Sequence, residues 1–199
     1  ELAAGLPLHR LGYLRTESEH WQEYAVVSTV DEVAAAQWDQ VWLCMASDAL
    51  RSDLSQQVIA AVGKATVICL QPGPEDAAWV RERLPAGATM VQGLITFISY
   101  QSPLPGCPGK EGIAYFLSPL APGMFSGPHQ GVQTVVEALK AGGMAAREVA
   151  DLEGAGAGSE AVMIPLIAAL EQHEWQLSGF AGSAQLTLGR EAGREALAI

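Results

Sequence analysis

The sequence is short of cysteine, of basic residues and of long apolar runs, and each shortage excludes a class of protein. The three cysteines, Cys44, Cys69 and Cys107, are widely spaced and form no Cys-x-x-Cys pair. This pattern argues against a disulfide framework and favours reduced thiols in the cytoplasm. No apolar run reaches the roughly 20 residues of a membrane-spanning helix. We therefore expect a cytoplasmic protein that does not span a membrane.

The shortage of basic residues gives the chain a net charge of −11, from 11 Lys and Arg against 22 Asp and Glu. An acidic surface repels the phosphates of nucleic acids and of anionic lipids. The four histidines show no metal-ligand spacing. These patterns predict neither a nucleic-acid partner nor a metal site.

Apolar residues are abundant, and two short apolar runs are the clearest structural signals. Residues 40–46 and 65–70 are almost continuously apolar, which is typical of parallel strands buried on both faces. A helix is predicted between them, over residues 47–62. A second helix, over 75–84, leads into a third strand over 89–100. The alternation predicts an α/β fold with a doubly wound, mostly parallel sheet.

The remaining patterns are weaker and change in character near residue 153. Strands are predicted at 24–28, at 113–117 on an antiparallel edge, and at 145–152. Helices are predicted at 31–37, 129–141, 159–172 and from 183 onward. Because only helical patterns follow residue 153, we place a domain boundary between residues 153 and 154.

Several short strings follow these elements in a recognisable order. They are Met45-Ala46-Ser47, Gln71-Pro72-Gly73, a Gly93–Ser99 stretch with Thr96, Arg147–Asp151 and Arg190–Ala196. Their order and spacing resemble those of the ketopantoate reductase family, whose strands end in VKA or VKS, QNG and GGxTxxxA. The resemblance implies a Rossmann-like nucleotide-binding domain over 1–153 and the beginning of a helical domain over 154–199. The family's first βαβ unit, with its Gly-rich loop, is expected to lie outside this chain.

The resemblance also implies an activity and a set of site residues. It implies an NADP-dependent oxidoreductase that reduces a small 2-oxo acid, with Ser47, Gln71 and Gly73 at the cofactor and Thr96 at the substrate. Two family positions depart from the pattern, because Ala46 replaces a lysine and Pro72 an asparagine. Residues 161–165 contain no match to the catalytic lysine, so no catalytic residue is assigned. The alternative is a degenerate relative that binds a nucleotide or metabolite without reducing it.

Simpler roles compete with several of these assignments. Ser47 could cap a helix, Gly73 could serve a turn, and Thr96 could pack as an ordinary β-branched residue. The glycine-rich string 154–159 imitates a dinucleotide fingerprint, but an interdomain hinge is the better interpretation. Four apolar residues near the end of the chain belong either to the helical core or to a homodimer surface: Leu170, Trp175, Leu177 and Phe180.

Overall fold

The computed structural model describes residues 5–71 and 73–198, which form two compact units. In sequence, the units meet between Ala150 and Asp151. The predicted boundary, between residues 153 and 154, lies three residues further along, in the first turn of a helix. The first unit contains mixed sheets with helices and the second is helical, so the predicted α/β fold class is confirmed.

The strands of the described residues are β1 (Leu6–Leu11), β2 (Thr16–Trp21), β3 (Gln40–Leu43), β4 (Thr66–Cys69), β5 (Thr89–Leu94), β6 (Ile98–Ser102), β7 (Gly112–Phe116), β8 (Gly123–Ser126) and β9 (Ala146–Glu148). The helices of the first unit are α1 (Val30–Ala35), α2 (Ser47–Leu50), α3 (Asp53–Ala61), α4 (Pro74–Arg81) and α5 (His129–Ala141). Those of the second unit are α6 (Leu152–Gln172) and α7 (Ala184–Ala196), with a 3₁₀ turn at Phe180–Gly182 between them.

The larger sheet has the strand order β3-β4-β5-β8-β9. Its first three strands are parallel and in register, with Leu43 opposite Cys69 and Cys69 opposite Gln92. Strand β8 runs antiparallel to β5, and β9 is parallel to β8. The carboxyl ends of β3, β4 and β5 therefore meet along one edge of the sheet.

The two faces of this sheet are covered by different helices because side chains alternate along each strand. On β4, Val67 belongs to a core cluster with residues of α3 and α4, whereas Ile68 belongs to a second cluster with residues of α5. Phe125 of β8 is fully buried in the second cluster. Helices on both faces give the doubly wound arrangement that the apolar runs predict.

The smaller sheet has the order β2-β1-β7-β6 and comes from parts of the chain that are distant in sequence. Strands β1 and β2 form an antiparallel hairpin, and β7 pairs in parallel with β1 and antiparallel with β6. The prediction of β7 as an edge strand is wrong, because β7 lies between β1 and β6 in the smaller sheet. Its pairing with β1 could not be predicted, since β1 lies far away in the sequence. The predicted strand at 24–28 is also wrong, because these residues form no regular structure.

The predicted strand over residues 89–100 is two strands in different sheets. Strand β5 ends at Leu94, three residues leave the larger sheet, and β6 begins at Ile98 in the smaller one. The run of apolar and β-branched residues hides this crossing, because strand propensity does not report which sheet a residue joins. Strand β8 was not predicted, since its four residues give too short a pattern.

The second unit begins with the side chain of Asp151, which caps α6 by accepting a hydrogen bond from the Gly154 N–H at 3.0 Å. The hinge predicted for residues 154–159 is wrong, because the whole string lies inside α6. Alanines alternate with the glycines, and the Asp151 cap starts the helix ahead of the string. In the described part of the chain, no helix has both the length and the apolar character needed to cross a bilayer.

Helices α6 and α7 pack closely because α7 presents glycines to the backbone of α6. A Cβ atom at Gly189 would lie 2.8 Å from the carbonyl oxygen of Pro165, and one at Gly193 would lie 3.3 Å from that of Ala161. Pro165 has no N–H, so the Ala161 carbonyl lacks its normal partner within the helix. The small residues of α7 allow Cα–H groups to approach these carbonyls.

We predict opposite effects for two glycine-to-alanine changes in this unit. Gly189→Ala lowers the free energy of unfolding of the helical unit by about 1–3 kcal/mol, because the new methyl group meets backbone. Gly158→Ala raises it by up to about 1 kcal/mol, because the methyl group enters open space within a helix. Urea unfolding followed by circular dichroism measures both, and equal effects would contradict the close approach of α7 to α6.

Candidate functional site

The candidate site lies at the carboxyl ends of β3, β4 and β5. We call the segments that follow these strands (residues 44–47, 70–71 with 73, and 95–97) the carboxyl edge. In open α/β sheets, ligands bind at this edge. The residues predicted to bind cofactor or substrate all lie there: Ser47, Gln71, Gly73 and Thr96.

Ser47 is an exposed residue whose hydroxyl is bonded to a buried carboxylate. It is the first residue of α2, and the cap position before it is occupied by Ala46, which makes no side-chain cap bond. The alternative role of Ser47 as a helix cap is therefore wrong. Its Oγ instead donates to Oδ2 of Asp76 at 2.5 Å. This bond joins the segment after β3 to the first turn of α4.

Asp76 is only 1% exposed, although it carries a formal charge. Its Oδ1 forms an ion pair with Arg51, the residue that ends α2, and Arg51 Nη1 also donates to the backbone carbonyl of Ser47 at 3.0 Å. We call Ser47, Arg51 and Asp76 the Asp76 cluster. Asp76 lies in the first turn of α4, where the helix dipole favours a negative charge. The cluster therefore compensates a buried charge and fixes the start of two helices.

Sequence reasoning did not find Arg51 or Asp76. An acidic residue just after Gly73-Pro74 is a normal helix-start signal and gives no indication of burial. Arg51 lies within the single helix predicted over 47–62, whereas the structure ends α2 at Leu50 and begins α3 at Asp53. A break in that helix, signalled by the capping residue Ser52, is the feature that could have drawn attention to Arg51.

The Gln71 side chain points into the protein and is only 4% exposed. Its Nε2 donates to the carbonyl oxygens of Leu43, at 3.0 Å, and Met45, at 2.7 Å. Its Oε1 accepts from the thiol of Cys69 at 3.1 Å, and burial raises the pKa of that thiol. Both amide hydrogens are used, so the side chain holds the segment after β3 in place. Only the backbone of Gln71 is left to face a ligand.

Gly73 is the cap residue of α4 and has an ordinary φ of −75°. A Cβ atom here would lie 2.7 Å from Oε1 of Glu75, the end of a flexible side chain that can move aside, so neither space nor backbone strain requires glycine. Pro72, at the asparagine position of the family's QNG string, lies outside the described residues. Gly73 is a partly buried residue at the carboxyl edge whose backbone carries no side chain.

Thr96 lies in the connection between β5 and β6, and its predicted position in the middle of a strand is wrong. The residue is partly buried, and its hydroxyl donates to the carbonyl oxygen of Ala121. The proton of this hydroxyl is therefore already used. The structure brings Thr96 to the same edge as Ser47 but leaves its oxygen only as an acceptor.

Cys44 is an exposed free thiol directly after β3, which sequence reasoning treated only as a reduced cysteine. Partial burial of its sulfur raises the pKa of the thiol. The neutral thiol is a weak nucleophile, so Cys44 is better suited to report ligand binding than to act in catalysis.

The histidines and acidic residues of the described chain form no group of three that could hold a metal ion. His9 lies between the Ser18 hydroxyl and the Glu111 carbonyl, each at 3.0 Å, and His129 pairs with Glu148. These two histidines have structural partners away from the carboxyl edge.

The sheet, its covering helices and the helical unit define a Rossmann-like α/β protein with a helical second unit. No protein-family profile matches the chain, and neither does a curated protein sequence. Solved structures match at the level of fold, and the fold is that of the ketopantoate reductases, as the sequence strings predict.

Three of these structures illustrate the likeness. A PanE/ApbA family ketopantoate reductase from Ralstonia eutropha JMP134 is 16% identical with a TM-score of 0.63, over 98% of this chain and 59% of that one. A probable 2-dehydropantoate 2-reductase from Bacillus subtilis is 15% identical with a TM-score of 0.59, over 99% and 68%. A dimeric ketopantoate reductase from Staphylococcus aureus is 10% identical with a TM-score of 0.57, over 98% and 68%. The chain thus spans 59% of the length of the first of these proteins.

We predict that Gln71→Glu lowers the free energy of unfolding by about 3 kcal/mol, because a carboxylate oxygen would face the two carbonyls that Nε2 now bonds. The matched control is Gln57→Glu on the exposed surface of α3, with an expected change within about 0.5 kcal/mol. Urea unfolding followed by tryptophan fluorescence compares the two. Equal stabilities would mean that Gln71 does not hold the carboxyl edge.

Proposed function

We propose that the whole protein is an NADP-dependent oxidoreductase that reduces a small 2-oxo acid. The fold supports this proposal, since the solved structures that share it are named ketopantoate or 2-dehydropantoate reductases. The observation that carries it is Ser47, an exposed residue whose hydroxyl is held by the buried Asp76 at the edge of a parallel sheet where ligands bind.

The carboxyl edge fits a neutral part of a dinucleotide better than its pyrophosphate. Both helices that begin here carry acidic residues in the first turn: Asp48 in α2, and Glu75 and Asp76 in α4. These carboxylates would repel a phosphate at the helix N-termini that usually bind one. In our proposal, Ser47 and the backbones of Gln71 and Gly73 line the nicotinamide end of NADP, and Thr96 faces the 2-oxo acid.

Bound NADPH would supply a hydride, and the carbonyl oxygen of the substrate would then need a positive group or a proton donor. The three lysines are placed elsewhere, since Lys64 precedes β4, Lys110 precedes β7 and Lys140 is in the last turn of α5. Arg51 is close to the edge but is paired with Asp76. The group that polarises the carbonyl therefore remains unassigned in our proposal.

We also propose a homodimer and a cytoplasmic location. The Staphylococcus aureus protein of the same fold is described as dimeric. Trp175 and Leu177, two of the residues assigned to either a core or a dimer surface, are exposed in the second unit. The three cysteines are free thiols, which supports a reducing compartment. Both statements stay predictions.

We predict that NADPH quenches the tryptophan fluorescence of the whole protein with a saturable curve, and that a 2-oxo acid then makes NADPH oxidation faster. Trp42 on β3 is a suitable reporter because it is partly buried next to Phe125. Absorbance at 340 nm with a panel of 2-oxo acids measures turnover. Binding without turnover would favour the degenerate ligand-binding relative, and absence of binding would contradict the proposal.

We predict that NADPH at ten times its Kd slows alkylation of Cys44 about tenfold, because about one tenth of the protein stays free. Cys107 is the internal control, as an exposed free thiol in the loop between β6 and β7. Mass spectrometry after iodoacetamide treatment quantifies both sites. If NADPH binds and the alkylation rates of Cys44 and Cys107 both stay unchanged, the ligand does not lie at the carboxyl edge.

A further inference from the structure

The Ser47 hydroxyl has one proton to donate and two lone pairs that can accept. The bond to Asp76 uses the proton, because a carboxylate paired with an arginine can only accept. The direction of this hydrogen bond is therefore fixed, with Ser47 as donor. The hydroxyl therefore has only lone pairs left to offer to a ligand.

The surroundings of Ser47 hold the hydroxyl in this direction. Arg51 has no acceptor atom, and its Nη1 reaches both the Ser47 carbonyl and the Asp76 carboxylate. The Gln71 amide is fully used by Leu43 and Met45, so it does not compete for the hydroxyl. Ser47 is itself an exposed residue at the carboxyl edge, where a ligand would bind.

We infer that Ser47 recognises a neutral hydrogen-bond donor on its ligand, with a primary carboxamide as the best fit. An anionic oxygen brought to Ser47 would meet lone pairs and the acidic first turns of α2 and α4. A carboxamide N–H finds an acceptor instead. This inference rests on the proposed function, in which the carboxamide is that of the nicotinamide ring.

The first test compares NADPH with its 3-acetylpyridine analogue, which has a methyl ketone in place of the carboxamide and therefore lacks the N–H donor. The whole protein is expected to bind NADPH about tenfold more tightly than the analogue, the value of one hydrogen bond. Ser47→Ala is expected to abolish this preference while retaining binding of both dinucleotides. A preference that survives in Ser47→Ala would overturn the inference.

Asp76→Asn discriminates better than Ser47→Ala, because it reverses the direction of the hydrogen bond between positions 47 and 76 without removing the bond. Arg51 only donates, so the amide oxygen of the new residue would face Arg51 and its NH₂ group would face Ser47. The Ser47 hydroxyl would then be free to donate, and the preference for NADPH is expected to fall to less than twofold or to reverse. The matched control is Asp53→Asn, an exposed acid in the first turn of α3, which should keep the full preference.

A measurement without ligand separates this inference from the proposed function. In proton NMR spectra, the Ser47 hydroxyl proton is expected to exchange slowly with water and to lose this protection in Asp76→Asn. A protected proton together with no NADPH binding would leave the hydrogen-bond direction supported and contradict the proposed cofactor. A rapidly exchanging proton in the unchanged protein would overturn the inference whatever the protein binds. If Asp76→Asn fails to fold, Ser47→Ala and this proton still decide the question.

Discussion

The buried carboxylate of Asp76 is the constraint on which the carboxyl edge depends. A charge that is almost completely removed from water must be compensated, and here the Ser47 hydroxyl donates to Oδ2 while Arg51 forms an ion pair with Oδ1. Arg51 lies at the end of α2, so its ion pair joins this helix to the first turn of α4. The same contacts fix where α2 and α4 begin, and they orient the hydroxyl that faces outward.

Patterns that depend on local burial could be predicted from the sequence, and those that depend on distant partners could not. The apolar runs that contain β3 and β4 identified the parallel sheet, because a strand covered on both faces has few polar residues. The end of β5 and the position of β7 were missed, since both are decided by strands far away in the sequence. The glycine string of α6 predicts a hinge on its own, but the residues form a helix because Asp151 caps its start and later turns pack against α7.

In the candidate site, too, the sequence predicted what depends on local patterns but not what depends on distant partners. The sequence strings placed Ser47, Gln71, Gly73 and Thr96 at one edge, because strand ends in a parallel sheet meet there. The direction of each side chain could not be predicted, since it depends on which backbone carbonyls the fold brings close to it. Gln71 and Thr96 turn to such carbonyls and are used internally. Ser47 alone of these side chains combines exposure with a fixed hydrogen-bond direction.

The thiol of Cys69 has a consequence for the durability of the site. It donates to the same Gln71 amide whose hydrogens hold the segment after β3. Conversion to a sulfenic or sulfinic acid would add oxygen atoms to a packed interior and remove this donor. Burial and a raised pKa keep the thiol neutral and out of reach of peroxide, so the enclosed sulfur resists damage. The bonds from Gln71 to the segment after β3 should therefore persist during oxidative stress, because the exposed thiols Cys44 and Cys107 are the ones that peroxide can reach.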